Sequence, residues 1–239
     1  MRKLPERTAA VYAALVDKIV DNSASGHTSL DSRPEDQLRA EIVTGRLLPN
    51  ERLVEADLTR RLGVGRSAVR TALARLEHEG LVELEPHRGA RVRLVALPEA
   101  IEILEARAVL EGLAVRRAAV NATQDDIADL RGILAEMRRL LDAGDLLKAS
   151  DTNAILHKRL LTLGAHATAN RLIVALRSQL VRFEYRTILL PGRSQHSLAE
   201  HTAIVDAVAG GDGDAAEAAM RTHLSHVADA LRRQEQNRA

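Results

Sequence analysis

Between positions 55 and 93, apolar and polar residues follow two different periodicities. In its first half, apolar residues recur at helical spacing, so one side of each of two short helices can be buried. These residues are Leu58, Leu62, Val64, Val69, Leu73 and Leu76. Gly63-Val64-Gly65 separates the two helices, and Gly65 is an acceptable N-cap for the second. From Leu81 to Arg93, apolar and charged residues alternate on both sides of a Pro/Gly turn, which predicts a hairpin with Arg88 and Gly89 at its tip.

Downstream of Leu97-Pro98 the pattern is helical throughout. Pro98 suits the first turn of a helix, Thr123 begins a capping-box pattern, and Asp145 can cap the helix that follows it. The predicted helices span residues 98–120, 123–143, 145–164, 167–190, 194–209 and 212–234. Because the breaks between these helices are short, we expect antiparallel neighbours in a bundle.

The chain upstream of the hairpin region completes the predicted organisation. Residues 35–44 are expected to form the first helix of the small domain. Residues 1–34 are predicted to be an extension, with a helix up to Asp21 and then a polar linker; the helix is either a docking element or a poorly ordered tail. The predicted fold class is mainly α, with an N-terminal winged helix-turn-helix at 35–96 and a C-terminal antiparallel all-helical bundle at 97–239.

Composition narrows the possible classes of protein. Hydrophobic residues make up 46% of the 239 residues but aromatic residues only 1%, so a core of Leu, Ala, Val and Ile in packed helices is expected. The absence of cysteine excludes disulfides and thiolate metal sites. Without a long apolar run or a signal-peptide pattern, the sequence is expected to be cytoplasmic and to have no membrane partner.

Basic charge is concentrated between Leu58 and Leu76, although the net charge of the whole chain is only +1. This stretch contains five arginines and no acidic residue. The side of the second helix opposite its apolar face carries Arg66, Ser67, Arg70, Thr71 and Arg75. Such a face fits phosphates and base edges of double-stranded DNA. The alternative is that these arginines are merely exposed to solvent on an ordinary amphipathic helix. The hairpin directly after the second helix favours DNA binding instead.

A dense set of residues from position 47 to 92 resembles a known domain. The matching residues are Leu47-Leu48-Pro49, Leu53-Val54-Glu55, Leu58, Leu62-Gly63-Val64, Arg66, Val69-Arg70, Ala72-Leu73, Leu76, Glu79-Gly80-Leu81-Val82 and Arg88-Gly89-Ala90-x-Val92. They resemble the winged-helix domain of the GntR superfamily. The departures are Asn50, Gly65, Ala68 and Thr71, where the family usually has Gly, Ser, Pro and Glu. These positions lie at or beside the surface that is expected to contact DNA bases. The base sequence that each protomer recognises therefore cannot be inferred from that of relatives.

The resemblance implies a homodimeric repressor or activator that binds a short palindromic operator. It places Arg66, Ser67 and Arg70 in the major groove, with Thr71 beside them, and the hairpin with Arg88 and Gly89 near the minor groove.

Three histidines of the predicted bundle have apolar residues one turn away, so they are expected to face its interior. They are His157, His201 and His223. His201 precedes Gly210 by nine residues and His223 follows Gly213 by ten, so an antiparallel hairpin brings them to a similar height. Together with the side-chain oxygen of Asn153, four residues before His157, they would suit Zn²⁺, or Mn²⁺ or Ni²⁺. The alternative is three hydrogen-bonded core histidines.

The second domain resembles the FCD-type ligand-binding domain of FadR-like GntR regulators. The resemblance is carried by Glu105-x-Arg107-x-x-x-Glu111, Asn153-x-x-x-His157, Glu200-His201-x-x-Ile204, and Asp214 through Arg221-x-His223. It implies that Asn153, His157, His201 and His223 are metal ligands, where many members have Asp at the position of Asn153. A small carboxylate would complete the shell of the metal. Arg107, with Arg182 and Arg186 as further candidates, would hold the far end of that effector, unless these arginines form salt bridges.

Three functions are compatible with these features. The first is a homodimeric transcription factor whose operator binding is modulated by a small organic acid at the metal site. The second is a metal-dependent hydrolase, for which the nearest candidate base, Glu200, is expected to point away from the site because it neighbours His201. The third is a metal-free dimeric DNA-binding protein.

Overall fold

The computed structural model describes residues 33–43, 45–85, 88–188, 190 and 192–236, without the side chains at 181, 182 and 184–188. The predicted helix and linker of the N-terminal extension lie almost entirely outside these residues. The chain divides into two compact units, with the boundary between Val95 and Ala96. In the described part of the chain, no helix is long and apolar enough to cross a membrane.

The first unit is a small helical domain with a three-stranded sheet. Its elements are α1 (Pro34–Val43), β1 (Arg52–Leu53), α2 (Glu55–Leu62), α3 (Arg66–His78), β2 (Val82–Glu85) and β3 (Gly89–Val92). All strands are antiparallel, in the order β1-β3-β2. The predicted hairpin is therefore confirmed. Strand β1 was not predicted, because two residues form a strand here only by pairing with Ala90 and Arg91, which are distant in sequence.

The core of the first unit follows the apolar pattern of the sequence. Leu58, Val69, Leu73 and Leu76 are buried in one cluster, and Leu62 and Val64 pack against it. Gly63 ends α2 in the left-handed conformation, with φ of 66°, which glycine adopts without steric cost.

Ion pairs join α1 to α3. Arg39 donates two hydrogen bonds to the carboxylate of Glu79, at 2.7 and 2.6 Å. The buried carboxylate of Glu35 accepts a hydrogen bond from Arg75. Arg75, which the sequence places on the polar face of α3, is therefore bound to α1 in the folded domain.

The second unit is a helical bundle. Its elements are α4 (Leu97–Asn121), α5 (Gln124–Asp142), α6 (Leu146–Gly164), α7 (Ala167–Ile188), α8 (Arg193–Ala209) and α9 (Gly213–Gln236). Each predicted helix boundary in this unit lies within two residues of the boundary in the structure. Thr123 and Asp126 form the predicted capping box, and the side chain of Asp145 caps α6 by accepting from the Lys148 N–H. The mainly α fold class is confirmed.

The end of α6 packs directly on the backbone of α4. A Cβ added at Gly164 would overlap the carbonyl oxygen of Ala114. The same approach lets Arg117 Nε donate to the Gly164 carbonyl at 2.8 Å. A glycine at this position therefore sets the distance between the two helices.

We expect Gly164→Ala to destabilise the bundle by about 1–3 kcal/mol, because the added methyl group must push α6 away from α4. The matched control is Gly132→Ala, at an exposed position of α5 where nothing lies within 4 Å of the added Cβ. That control should be neutral or stabilise by about 0.5–1 kcal/mol. Urea unfolding followed by far-UV circular dichroism measures both. Equal unfolding midpoints for the two variants would contradict the proposed close contact.

Candidate metal centre and nucleic-acid surface

Three histidine side chains from three helices meet in the interior of the bundle. His157 on α6, His201 on α8 and His223 on α9 are all buried, and their ring centroids are 4.4 to 5.5 Å apart. One ring nitrogen from each lies within 4.8 Å of the others. The predicted convergence of these three residues is confirmed.

A buried carboxylate orients His157. Its Nδ1 lies 3.0 Å from Glu111 Oε2, and its Nε2 lies 3.1 Å from Nε2 of His201. The other oxygen of Glu111 accepts a hydrogen bond from Arg107 Nε at 2.8 Å. With Nδ1 donating to the carboxylate, the Nε2 lone pair of His157 faces the other histidines.

A second carboxylate orients His223 in the same way. Glu200 Oε2 accepts from His223 Nδ1 at 2.7 Å and from Arg193 Nη2 at 2.9 Å. Glu200 Oε1 accepts from His226 Nδ1 at 2.8 Å. The expectation that Glu200 points away from the site is therefore wrong. His201 faces the centre of the cluster, whereas the longer side chain of Glu200 reaches the outer edge of the His223 ring on the neighbouring helix.

The environment keeps all three imidazoles neutral at pH 7. Burial lowers the pKa of His157, and lowers the pKa of His223 to about 4, although hydrogen bonds to Glu111 and Glu200 act in the opposite direction. Burial and the neighbouring histidines hold the pKa of His201 well below its usual value. A neutral imidazole can donate a lone pair to a metal ion, so this protonation state favours coordination.

Both carboxylates remain ionised, although Glu111 is buried and Glu200 is half-buried. Burial alone would raise the pKa of Glu200, but the hydrogen bond and charge of His223, with the charge of Arg193, lower it to about 2. The charge of Arg107 and the hydrogen bond from His157 outweigh burial and hold the pKa of Glu111 far below its usual value. Each carboxylate thus has an arginine that compensates its charge.

An amide oxygen on α6, one turn before His157, has no hydrogen-bond partner among the described residues. Asn153 Oδ1 is buried and accepts no hydrogen bond from any residue that the structure describes. A buried carbonyl oxygen without a partner is destabilising by about 1–3 kcal/mol. Because Asn153 lies one turn before His157 on α6, a cation near the histidines could satisfy it.

These residues fit a divalent metal ion. Two nitrogen ligands of one tetrahedral ion, with bonds of about 2.0–2.1 Å, lie about 3.3 Å apart. The Nε2 atoms of His157 and His201 are 3.1 Å apart, close to this separation. Three neutral imidazoles and an amide oxygen are nitrogen and oxygen donors that suit Zn²⁺, Mn²⁺ or Ni²⁺.

The arginines predicted to bind an effector have different surroundings. Arg107 is buried on α4 and pairs with Glu111. The side chains of Arg182 and Arg186, on α7, lie outside the described part of the structure. The sequence did not indicate that Glu111 and Glu200 orient the histidines, or that Arg193 pairs with Glu200. For Arg193 a signal exists, since it precedes Glu200 by seven residues, about two turns, and therefore lies on the same face of α8 as Glu200.

The predicted DNA-contacting residues of α3 lie on its exposed side. They are Arg66, Ser67, Arg70 and Thr71. On the hairpin, Arg88 is exposed and Gly89 is partly buried. Gly89 has a φ of 90°, and a Cβ there would overlap the carbonyl oxygen of Leu53, so this end of the hairpin requires glycine.

Most arginines of the basic stretch are paired with acids that come from outside it. The pairs are Arg60 with Asp57, Arg61 with Glu41, Arg70 with Glu55 and Arg75 with Glu35. Arg66 forms no ion pair with any residue in the described ranges. The stretch without acids is therefore less basic in the folded domain than the sequence suggests.

Comparison with known families accounts for both units. Residues 30–92 match the family described as bacterial regulatory proteins, gntR family, and residues 102–226 match the FCD domain. Among solved structures, E. coli McbR/YncC superposes with a TM-score of 0.70 at 21% identity, covering 87% of this chain and 99% of that chain. At this identity the superposition shows a shared fold.

Two relatives extend over most of the chain. The "Probable D-xylose utilization operon transcriptional repressor" of Paenarthrobacter nicotinovorans is 30% identical over 202 residues, covering 83% of this chain and 87% of the relative. The HTH-type transcriptional repressor RspR of Escherichia coli (strain K12) is 27% identical over 195 residues, covering 82% of this chain and 86% of RspR. The chain therefore belongs to the GntR family of bacterial transcriptional regulators, with an FCD domain following its DNA-binding domain.

Proposed function

We propose that this regulator binds a short palindromic operator as a homodimer, and that a small organic acid at a metal site in the bundle changes its affinity for DNA. The observation that carries the proposal is the convergence of three buried, neutral histidines in the FCD domain. Metal sites and effector sites are built in bundle cores from side chains on facing helices.

The ligands proposed for the metal are Asn153, His157, His201 and His223. Zn²⁺ is the first candidate because three imidazoles match its preferred donors, and Mn²⁺ and Ni²⁺ are alternatives. A bound ion would supply positive charge and open positions to a carboxylate oxygen of the effector. Arg107, Arg182 and Arg186 remain the proposed contacts for the rest of that molecule.

The proposed DNA contacts are Arg66, Ser67, Arg70 and Thr71 in the major groove and Arg88 and Gly89 near the minor groove. Their support is the exposure of the N-terminal half of α3 and the absence of acidic residues from its first turn. A helix N-terminus also presents unpaired backbone N–H groups to phosphates.

Regulation requires that the effector bind two arrangements of the protein with different affinity. Helix α4 is the proposed route, because it begins at Leu97, directly after the first unit, and carries Arg107 and Glu111. If either side chain shifts when the effector binds, the displacement would be transmitted along α4 to its N-terminal end.

The hydrolase alternative has little support. The relatives are named as transcriptional regulators. Glu200 accepts hydrogen bonds from two histidines and an arginine, and its pKa of about 2 makes it a weak base.

The metal-free alternative is decided by elemental analysis of protein purified without chelator.

Arg66→Ala and Arg70→Ala should each weaken operator binding by about 1–3 kcal/mol, because each removes a cation from the groove-facing side of α3. The operator is a fragment selected by the wild-type protein from random DNA, and affinity is measured by fluorescence anisotropy at fixed salt. Arg139→Ala, an exposed arginine of α5 paired with Glu136, is the control and should bind normally. Normal affinity in both test variants would refute the groove assignment.

His201→Ala should lower zinc affinity by about 100-fold or more, since it removes one of three nitrogen ligands. Competition with a zinc-binding dye measures the affinity, and the wild-type protein should bind one zinc per chain. His78→Ala, an exposed histidine at the end of α3, should leave zinc binding unchanged. Zinc binding that survives in His201→Ala would place the metal elsewhere.

Asn153→Asp should tighten zinc binding by about tenfold, because a carboxylate is a stronger ligand than a neutral amide oxygen. Asp151→Asn, at an exposed position two residues earlier on α6, is the matched control and should have no effect. If the aspartate variant binds zinc no better than the wild-type protein, Asn153 is not a ligand.

A further inference from the structure

A carboxylate at the start of α2 holds an exposed arginine of α3. Arg70 Nε donates to Glu55 Oε2 at 2.9 Å, so the pair links the two helices that lead into the hairpin. The side chain of Arg70 is 69% exposed and that of Glu55 is 29% exposed. An ion pair this exposed contributes little to the free energy of unfolding, because water competes for both charges. Its main effect is on the orientation of the Arg70 side chain.

The contact through Nε leaves the end of the Arg70 guanidinium group available. Within the described ranges, neither Nη1 nor Nη2 of Arg70 has an acceptor. The other ion-paired arginines of the basic stretch each use one of these terminal nitrogens to bind their carboxylate; they are Arg60, Arg61 and Arg75. Of these four side chains, Arg70 therefore combines a fixed direction with two available terminal N–H groups.

This arrangement of donors fits guanine. Arginine recognises guanine in the major groove by donating two parallel hydrogen bonds to O6 and N7. Arg70 lies one turn into α3, on its exposed side, where the proposed groove contacts are. A mobile arginine loses rotamer freedom when it makes such a contact, whereas a side chain that is already held by a carboxylate loses less.

The negative charge of Glu55 is unfavourable for binding DNA of any sequence. A carboxylate beside a DNA-facing arginine weakens its attraction to phosphates, which is the part of the affinity that all sequences share. A contact to a base edge gains instead when the side chain that makes it is held in one orientation. Glu55 therefore lowers general affinity and favours the recognition of a particular base.

We infer that Glu55 is a positioning residue for base recognition. By holding Nε of Arg70, it presents Nη1 and Nη2 to one guanine in each half of the operator. This inference rests on the proposed function, because it requires that α3 lies in the major groove. It adds Glu55 to the residues that determine sequence specificity, and it predicts the base that Arg70 contacts.

The test measures which base pairs each variant distinguishes. The operator selected from random DNA by the full-length wild-type protein is compared with fragments in which one base pair of each half is replaced, by fluorescence anisotropy at fixed salt. Arg70→Ala identifies the position that Arg70 contacts, where the wild-type preference for guanine, about tenfold or more, should be lost. Glu55→Gln should reduce the preference at that same position by about threefold or more and leave the other positions unchanged.

Two further measurements separate positioning from a general effect on binding. On DNA of random sequence, Glu55→Gln should bind as tightly as the wild-type protein or more tightly, because a negative charge is removed. In the Arg70→Ala background, Glu55→Gln should leave every base preference unchanged, because the side chain that it positions is absent. The matched control is Asp57→Asn, which removes another exposed acid from the first turn of α2, paired with Arg60, and should keep the guanine preference.

The outcomes distinguish this inference from the proposed function on which it rests. If Glu55→Gln keeps the full guanine preference, or weakens binding to the operator and to random DNA equally, the inference is wrong while operator binding stands. The same holds if Arg70→Ala changes no base preference, or if the base preferred at its position is not guanine. If the wild-type protein selects no sequence from random DNA, both the inference and the proposed operator binding are refuted.

Discussion

The sharing of two carboxylates, one buried and one half-buried, between arginines and histidines is the interaction on which the second domain depends. Glu111 joins Arg107 on α4 to His157 on α6, and Glu200 joins Arg193 on α8 to His223 on α9. A buried carboxylate is tolerated when a cation compensates its charge and hydrogen bonds satisfy its oxygens. Both conditions are met here by the same residues that tie the helices together.

These carboxylates also determine the chemistry of the cluster. By accepting Nδ1–H, they leave the Nε2 atoms of His157 and His223 as the free lone pairs of the rings. His201 differs, because its Nδ1 has only Ser197 Oγ nearby, at 3.5 Å. Its ring is therefore positioned by the contact of its Nε2 with Nε2 of His157, at 3.1 Å, and by packing between the other two rings, without a carboxylate partner.

Local sequence rules predicted the parts of the structure that local interactions decide. The caps at Thr123 and Asp145 and the break at Gly63 depend on residues within one turn, so spacing alone located them. The facing histidines of α8 and α9 were predictable because a short hairpin fixes their height. Contacts between distant segments were not predictable: strand β1 exists only through its pairing with β3.

The position of Glu200 shows why the site was harder to predict than the fold. Neighbouring residues on a helix point in different directions, and from this rule Glu200 was expected to leave the site. The rule gives the direction in which a side chain leaves the helix. It does not give the position of the terminal atoms of a long side chain. Because His223 comes from another helix, its outer edge was within reach of Glu200. Sequence spacing on one helix carries no information about that distance.

The ion pairs of α3 have a consequence for how salt should affect the binding of this regulator to DNA. Salt dependence reflects the counterions that protein cations displace from phosphates. An arginine that keeps its carboxylate partner on the complex displaces none, and Arg75 is held by a buried glutamate of α1. The counterions released per domain should therefore be fewer than the five arginines of the stretch would suggest. Affinity for DNA should decline correspondingly slowly as ionic strength rises.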